Sequence, residues 1–369
     1  MELTNFWWLL VWVFIGGYVL NYYMPKETFI VAGKKEEKWK LGPAMALMIP
    51  YIIWAGFRND SFGDTIAYRN AFHMMPITLD DLPAYIETIS KDTGFYVFSA
   101  FIKILFTNSD VIYFLILATI QITCIVIVLR KYSCDYWLSV FLFIASTEYI
   151  GWMHNGIRQF TAVTLIYAST DLWVRKKYIP LLGVILFAST IHGSALLMMP
   201  LVFIIQGKAW NKRTVLCIVA SIMVLFFVER FTGILDRLLS DTQYMNAVTE
   251  WKTGNDDGTN PIRVLICAIP MLLSIIGLRT IKNENHPIIN IATNASIVTT
   301  GLYLISMVTS GIFMGRLPIY MSLYSLCILL PWEIKNLFKP SSSRVVELSV
   351  IAFYIIFFYY QMHFAWGLL

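Results

Sequence analysis

Charge is what this chain has least of. Only 14% of its 369 residues are Asp, Glu, Lys or Arg, where a soluble domain carries about 25%. That shortage excludes a soluble domain of any size. Paired cysteines are lacking too. Cys124, Cys134, Cys217, Cys267 and Cys327 stand singly, with no C-x-x-C and no metal-ligand spacing, so neither a disulfide framework nor a zinc site is expected. The stretch VAGKKEEK lacks the upstream glycine and the trailing Ser or Thr of a phosphate-binding loop. H-E-x-x-H and G-x-S-x-G are absent. Nucleotide hydrolysis, metalloproteolysis and serine-hydrolase chemistry therefore have no support. The first residues, MELTNFWWLLVWVF, carry Glu2 and no base, and no small-residue cleavage site follows. They read as a first spanning helix and not as a removable signal peptide.

What is present is apolar length. The chain is 58% hydrophobic, with mean hydropathy +0.65. Apolar runs long enough to cross a bilayer recur throughout, which predicts an all-α polytopic membrane protein, one transmembrane domain over residues 1–369. Twelve spans are expected, at about 6–23, 41–57, 110–129, 136–153, 157–174, 178–191, 194–206, 214–230, 261–279, 288–309, 318–334 and 345–366. Residues 178–206 are too long for one straight span and are expected to turn as a short helical hairpin at Ser189–Ala195. Residues 95–106 contain Lys103 and read as re-entrant or surface-lying. Most of the 28 Lys and Arg fall on the loops after the odd-numbered spans, and that side is cytoplasmic by the positive-inside rule. The same rule accounts for the net charge of +5, so no nucleic-acid partner is inferred. Both termini and two longer loops, 58–94 and 231–260, then face outward.

With that orientation the remaining ionisable residues gather at the outer surface. Arg58, Asp60 and Asp64 follow the second span. His154 and Arg158 open the stretch around the fourth-to-fifth junction, WMHNGIRQF, with Asn155 and Gln159 beside them; residues four apart share a helix face. His192 sits at the hairpin turn, Arg230 ends a span, Arg263 starts one, and Arg316 lies at a late outward turn. Carriers place ionisable groups at the bilayer midplane. Here the middles of the spans are Leu, Ile, Val and Phe, and the polar groups ring one face, which suits an enzyme acting on a lipid-borne head group. Each group also has a plainer explanation. A lone Arg230 or Arg263 can snorkel to phosphates, and a histidine among small residues, as in IHGSA, can simply be packed.

The stretches FRNDSFGDTIAYRNAF, DTGFYVFSAFIKILF, NGIRQFTAVTLIYAST, LFASTIHGSALLMMP and GRLPIYMSLYSLCILLP, in that order, resemble the EpsG-like branch of the Wzy-type polysaccharide polymerases, from about Ala55 to Pro331. The resemblance implies a GT-C-like enzyme of the bacterial inner membrane. Such an enzyme transfers a growing glycan en bloc from undecaprenyl diphosphate to a sugar hydroxyl of another lipid-linked repeat unit. It implies that Arg58, Gly63, Asp64 and Tyr68, Arg158 and Gln159, His192 with Ser194 and Ala195, and Arg316 fall on the family's motif positions. Asn59-Asp60-Ser61 departs from it, since an aromatic residue is common after the Arg, which leaves Asp60 open. A separate chain-length-regulating co-polymerase is implied as a partner.

These residues suit the reaction. A lipid diphosphate leaves as an anion, so it needs positive charge where electrons collect more than it needs an acid. Arginine supplies a planar, permanently charged fork. Arg158 and Arg316 are the first candidates, with Arg58 and Arg263 behind them. The sugar hydroxyl needs a base, for which His192 and Asp64 compete. Tyr68, His154, Gln159 and Asp60 are taken as substrate-binding. No cofactor and no metal are expected, although the Asp60/Asp64 spacing also permits a divalent cation. Two other readings stay open: an O-antigen ligase or related lipid-carrier glycosyltransferase, and a flippase of lipid-linked oligosaccharide, for which Asp171 and Lys103 are the candidate midplane charges.

Overall fold

Long apolar runs fold into helices, some of which continue through an internal proline, as at Pro50 and Pro270. The computed structural model describes residues 5–31, 34–106, 108–239 and 258–368. By its packing the chain divides into two units, Met1–Met199 with Arg344–Leu369, and Pro200–Ser343.

The first unit begins with α1 (Trp7–Tyr23), a hairpin of β1 (Lys26–Val31) and β2 (Lys34–Trp39), and α2 (Leu41–Gly56). Three short helices follow, α3 (Thr65–Met74), α4 (Leu82–Glu87) and α5 (Thr93–Leu105). Then come α6 (Asp110–Tyr132), α7 (Tyr136–Ala145), α8 (Glu148–Asn155), α9 (Ile157–Ala168), α10 (Thr170–Val174) and α11 (Tyr178–Ile191). Helix α6 packs on α2 and α9, and α1 packs on α2 and α7. Polar contacts between helices fix the register within this apolar mass: Gln121 Nε2 donates to Thr161 Oγ1 at 2.8 Å, Tyr136 OH to the Ala44 carbonyl at 2.9 Å, and Trp137 Nε1 to the Val13 carbonyl at 3.0 Å. Stacked pairs, Phe72 on Tyr113 at 4.4 Å and Phe143 on Tyr149 at 4.6 Å, fill the space between. The expected fourth span is broken: Thr147 adopts a left-handed conformation (φ 60°) between α7 and α8.

The strand pair departs from the all-α expectation. Lys26–Val31 and Lys34–Trp39 pair antiparallel, and the pair docks on the end of α6. Arg130 forms an ion pair with Glu27, its guanidinium lies 4.8 Å over the Phe29 ring, and Lys38 Nζ donates to the Ser133 carbonyl at 2.7 Å. A loop rich in Lys and Glu is thereby held as a sheet, because these long-range contacts supply what a two-stranded ribbon lacks on its own.

Residues 93–105 form a helix whose lysine is buried for a reason. Lys103 Nζ donates to the carbonyls of Phe72, His73 and Met75 at 3.0, 2.7 and 2.7 Å. All three ammonium protons cap the end of α3, where helix carbonyls otherwise go unpaired.

After a short 3-10 turn (Gly193–Leu197) the chain passes through α12 (Met198–Ile205) into the second unit: α13 (Lys212–Phe226), α14 (Val228–Leu239), α15 (Pro261–Ile276), α16 (Leu278–Glu284), α17 (Pro287–Met307), α18 (Ile319–Tyr324), a π-helical turn (Ser325–Leu329) and α19 (Leu330–Asn336). Helix α20 (Pro340–Tyr360) leads back to the first unit. Helix α17 is the axis of this unit and is buried on all sides. Its Asn294 grips the turn before α13, donating to the Ile205 and Lys208 carbonyls at 2.8 and 3.0 Å and accepting from Trp210 N at 2.9 Å. Asn211 and Asn260 cap α13 and α15 through their side-chain oxygens. Residues 240–257, most of the expected loop 231–260, lie outside the described residues.

Among the described residues, four stretches are long and apolar enough to cross a membrane: Asp110–Tyr132, Pro287–Met307, Met314–Asn336 and Pro340–Ala365. Two bent pairs, Lys212–Phe226 with Val228–Ile234 (108°) and Pro261–Ile276 with Leu278–Glu284 (73°), bring the number to six if each pair is one span. The other expected spans appear as shorter apolar helices or broken pairs, so helix length alone does not give twelve crossings.

Replacing Lys103 by Met keeps the apolar stem and strands the three carbonyls it caps. Thermal unfolding in detergent is expected to show a loss of about 1–3 kcal/mol, the usual cost of buried polar groups left unpaired. Lys103→Arg is expected to recover part of it.

Candidate functional site

Helix α8 ends at Asn155 and α9 starts at Ile157. The segment after α2 lies across this junction, and Gly63 is what allows it. Gly63 has φ +63°, and a Cβ there would stand 2.9 Å from Asn155 Cβ and 3.0 Å from the His154 carbonyl oxygen. Glycine is needed both for the left-handed backbone and for the space. The close approach sets Asp64 against Asn155. With its amide nitrogen turned to the carboxylate, as these partners require, Asn155 donates to both Asp64 oxygens at 3.0 and 2.9 Å.

Arg58 and His154 lie behind this contact. Arg58 is 2% exposed. Its Nε and Nη1 donate to the Ala55 and Met153 carbonyls at 2.6 and 2.8 Å, and its guanidinium lies 4.2 Å over the Phe114 ring. Burial pushes its pKa down to about 9, against the pull of Tyr113 and Tyr68; it is charged at neutral pH. His154 is also 2% exposed. Its Nδ1 faces the Ile150 carbonyl at 2.8 Å, and its ring packs on Phe62 at 4.6 Å. Phe62 in turn meets Trp366 at 5.0 Å. In this structure both residues support the segment from beneath.

Arg158 stands at the second position of α9. Its Nη1 bonds Asp92 Oδ2 at 2.6 Å, its guanidinium lies 5.6 Å from the Tyr96 ring, and its Nε has no hydrogen-bond partner among the described residues. Tyr68, on α3, hydrogen-bonds Arg158; burial raises the phenol above its ordinary value and the Arg158 charge pulls it partly back. The other Asp92 oxygen accepts from Gly193 N at 3.2 Å. Gly193 follows His192, whose Nδ1 lies 2.7 Å from Ser194 Oγ. The chain breaks at His192, which is extended (φ −156°, ψ 121°) between α11 and the 3-10 turn, within the stretch expected to turn. Arg158 thus holds Tyr68 and Asp92, Asp92 reaches the backbone next to His192, and Asp64 is held by Asn155, three residues before Arg158. Gln159, the next residue on α9, is buried.

Asp60 takes a different partner. Arg69 binds it and also binds Asp110 Oδ2, the latter at 2.5 Å. The two carboxylates offered for a cation are therefore engaged by Arg69 and by Asn155.

Arg263 and Arg316 belong to the second unit. Arg263 is exposed in the first turn of α15, its guanidinium 5.8 Å over Tyr303 of α17. Arg316 ends a 3-10 turn (Met314–Arg316). Thr259, four residues before Arg263, is bonded to the end of α17 and lies close to Gly315, the residue before Arg316: its Oγ1 accepts from Ser306 Oγ at 2.7 Å, and a Cβ on Gly315 would meet that oxygen at 2.8 Å.

Asp92 is the residue that sequence reasoning missed. It opens DTGFYVFSAF but has no local pattern that marks it. The available signal was the pair Asp92 and Gly94. A Cβ on Gly94 would stand 2.9 Å from the Thr190 carbonyl oxygen, so the start of α5 is pressed against the end of α11, next to His192.

The EpsG family model matches residues 44–366, and the chain belongs to that family. It is a membrane protein of the polysaccharide-polymerase type. No curated protein and no solved structure matches it.

Gly63→Ala is expected to destabilise the protein by about 1–2 kcal/mol from the left-handed backbone alone, and by more from the collision with His154. Melting temperature and proteolysis across 58–64 read the effect. Gly183→Ala is the matched control, since a Cβ there meets nothing within 4 Å.

Proposed function

We propose that this chain elongates a bacterial surface polysaccharide. It would transfer a growing glycan from undecaprenyl diphosphate to a sugar hydroxyl of a second lipid-linked repeat unit, at the outer face of the inner membrane, with about twelve crossings. The observation that carries the proposal is the grouping of Arg158, Asp64, Tyr68 and His192 on one unit, where Arg158 holds Tyr68 and Asp92, Asp92 reaches the backbone next to His192, and Asn155 holds Asp64.

The leaving diphosphate takes up charge as the glycosidic bond breaks. Arg158 supports it with a fixed cation at the start of α9, where the helix end itself carries partial positive charge. A bound diphosphate would take over guanidinium donors that Asp92 and Tyr68 hold in this structure. Arg58 is too enclosed to touch substrate in this arrangement; it adds positive potential from behind, in surroundings where screening is weak. His192 is a candidate base for the acceptor hydroxyl's proton. Its Nδ1 accepts from Ser194 N at 3.4 Å and lies 2.7 Å from Ser194 Oγ, so the base form requires the ring proton on Nδ1 with Ser194 Oγ accepting it. Asp64, held by Asn155, orients the acceptor sugar or takes that proton in place of His192. Direct attack at the anomeric carbon inverts its configuration. Arg263 and Arg316, on the second unit, are proposed as substrate-binding residues of that unit.

The test is elongation by purified protein on lipid-linked repeat units, with and without chelator. The expected product is a ladder of longer lipid-linked chains that is insensitive to chelator. Arg158→Ala is expected to lose about 10²–10³-fold in kcat, as removal of one transition-state donor does elsewhere. A ladder abolished by chelator would overturn the metal-free mechanism. Transfer to a different acceptor, with no ladder, would overturn the polymerase.

A further inference from the structure

Asp92 makes unusual local sacrifices. It is the N-cap residue of α5, a position where Asp ordinarily accepts from the helix's own N–H groups. Here its side chain makes no such bond, and its backbone is left-handed at φ 54°, a conformation that costs a non-glycine residue of this kind some strain. Its side chain is 4% exposed and spends both oxygens at long range. One goes to Arg158 Nη1 at 2.6 Å, 66 residues away, and one to Gly193 N at 3.2 Å, 101 residues away. A carboxylate that only closed α5 would have none of these features.

We propose that Asp92 is a positioning residue with two tasks. It holds Arg158 and the His192 turn at a fixed separation. It is also the internal anion that an incoming diphosphate must outcompete for the Arg158 fork. This rests on the proposed transfer reaction, in which Arg158 meets the leaving diphosphate and His192 the acceptor. An anion that shares a guanidinium with another pairs with fewer of its donors and less of its charge, so Asp92 weakens diphosphate binding while it orients the group that uses it. Removing its charge therefore moves binding and turnover in opposite directions. Loss of folded structure would lower both.

Inorganic pyrophosphate is the binding probe, titrated calorimetrically into detergent-solubilised full-length protein. Asp92→Asn keeps an acceptor oxygen for Gly193 N and removes the charge. It is expected to bind pyrophosphate about 3- to 10-fold more tightly than wild type, and to elongate lipid-linked glycan at least tenfold more slowly. Equal or weaker binding by Asp92→Asn overturns the proposal, as does the absence of binding by both proteins.

A second pair of variants covers the case in which Asp92→Asn does not fold. Gly193 starts the 3-10 turn, and His192 before it is extended, so proline fits there and removes only the N–H that Asp92 accepts. Gly193→Ala keeps the N–H, and its Cβ meets nothing within 4 Å. Relative to Gly193→Ala, Gly193→Pro is expected to lose about tenfold in kcat with KM for the lipid-linked donor within twofold. Equal kcat in the two overturns the positioning role. Tighter pyrophosphate binding by Asp92→Asn, in a protein that elongates no glycan, would sink the polymerase reading and leave the anion competition standing.

Discussion

The ion pair between Arg158 and Asp92 holds this end of the first unit together. One partner stands at the start of α9, the other at the start of α5, and the second carboxylate oxygen reaches the backbone beyond α11. Three helix ends meet at one carboxylate whose side chain is almost wholly enclosed. The carboxylate is enclosed while the Arg158 side chain stays partly exposed, so the pair fixes the direction of the guanidinium and leaves one side of it open. Pressing Gly94 against Thr190 brings Asp92 to Gly193, and the close seat of Gly63 brings Asp64 to Asn155.

Scarcity of charge makes each ionisable group here legible as a choice. Lys103 gives all its protons to the end of α3, and Arg69 is shared by Asp60 and Asp110. Arg130 and Lys38 pin a strand pair to α6. These groups do structural work between elements that are otherwise apolar. Arg58 differs because its partners are carbonyls and aromatic rings, with no carboxylate ion pair among the described residues. A positive charge is thereby placed close to Tyr68 and Tyr113 with no carboxylate paired to it among the described residues, a field suited to a substrate that is itself an anion.

Much of this was readable in the sequence, for physical reasons that differ by element. Apolar runs gave helices close to their expected limits, as with α1 at Trp7–Tyr23 and α17 at Pro287–Met307. The spacing of His154 and Arg158 suggested a shared face, and both do lie at one junction. The chain instead breaks between them at Gly156, so His154 packs on Phe62 while Arg158 turns to Asp92. The role of Lys103 was hidden because its partners are backbone carbonyls some 30 residues away, and no side-chain pattern records a carbonyl. The strand pair was hidden for the same kind of reason: its stability comes from Arg130 and Ser133 on another element. Asp92 lay within a stretch that drew attention, yet its contacts are 66 and 101 residues distant. Long-range pairing of that sort leaves no local trace.

The most direct test of this account is a structure of the protein with a non-transferable lipid-diphosphate glycan bound. The account predicts diphosphate oxygens within hydrogen-bond distance of the Arg158 guanidinium, Asp92 displaced from Nη1 but still on Gly193 N, and the anomeric carbon facing His192. A diphosphate seated away from Arg158, with the Arg158–Asp92 pair intact, would contradict it.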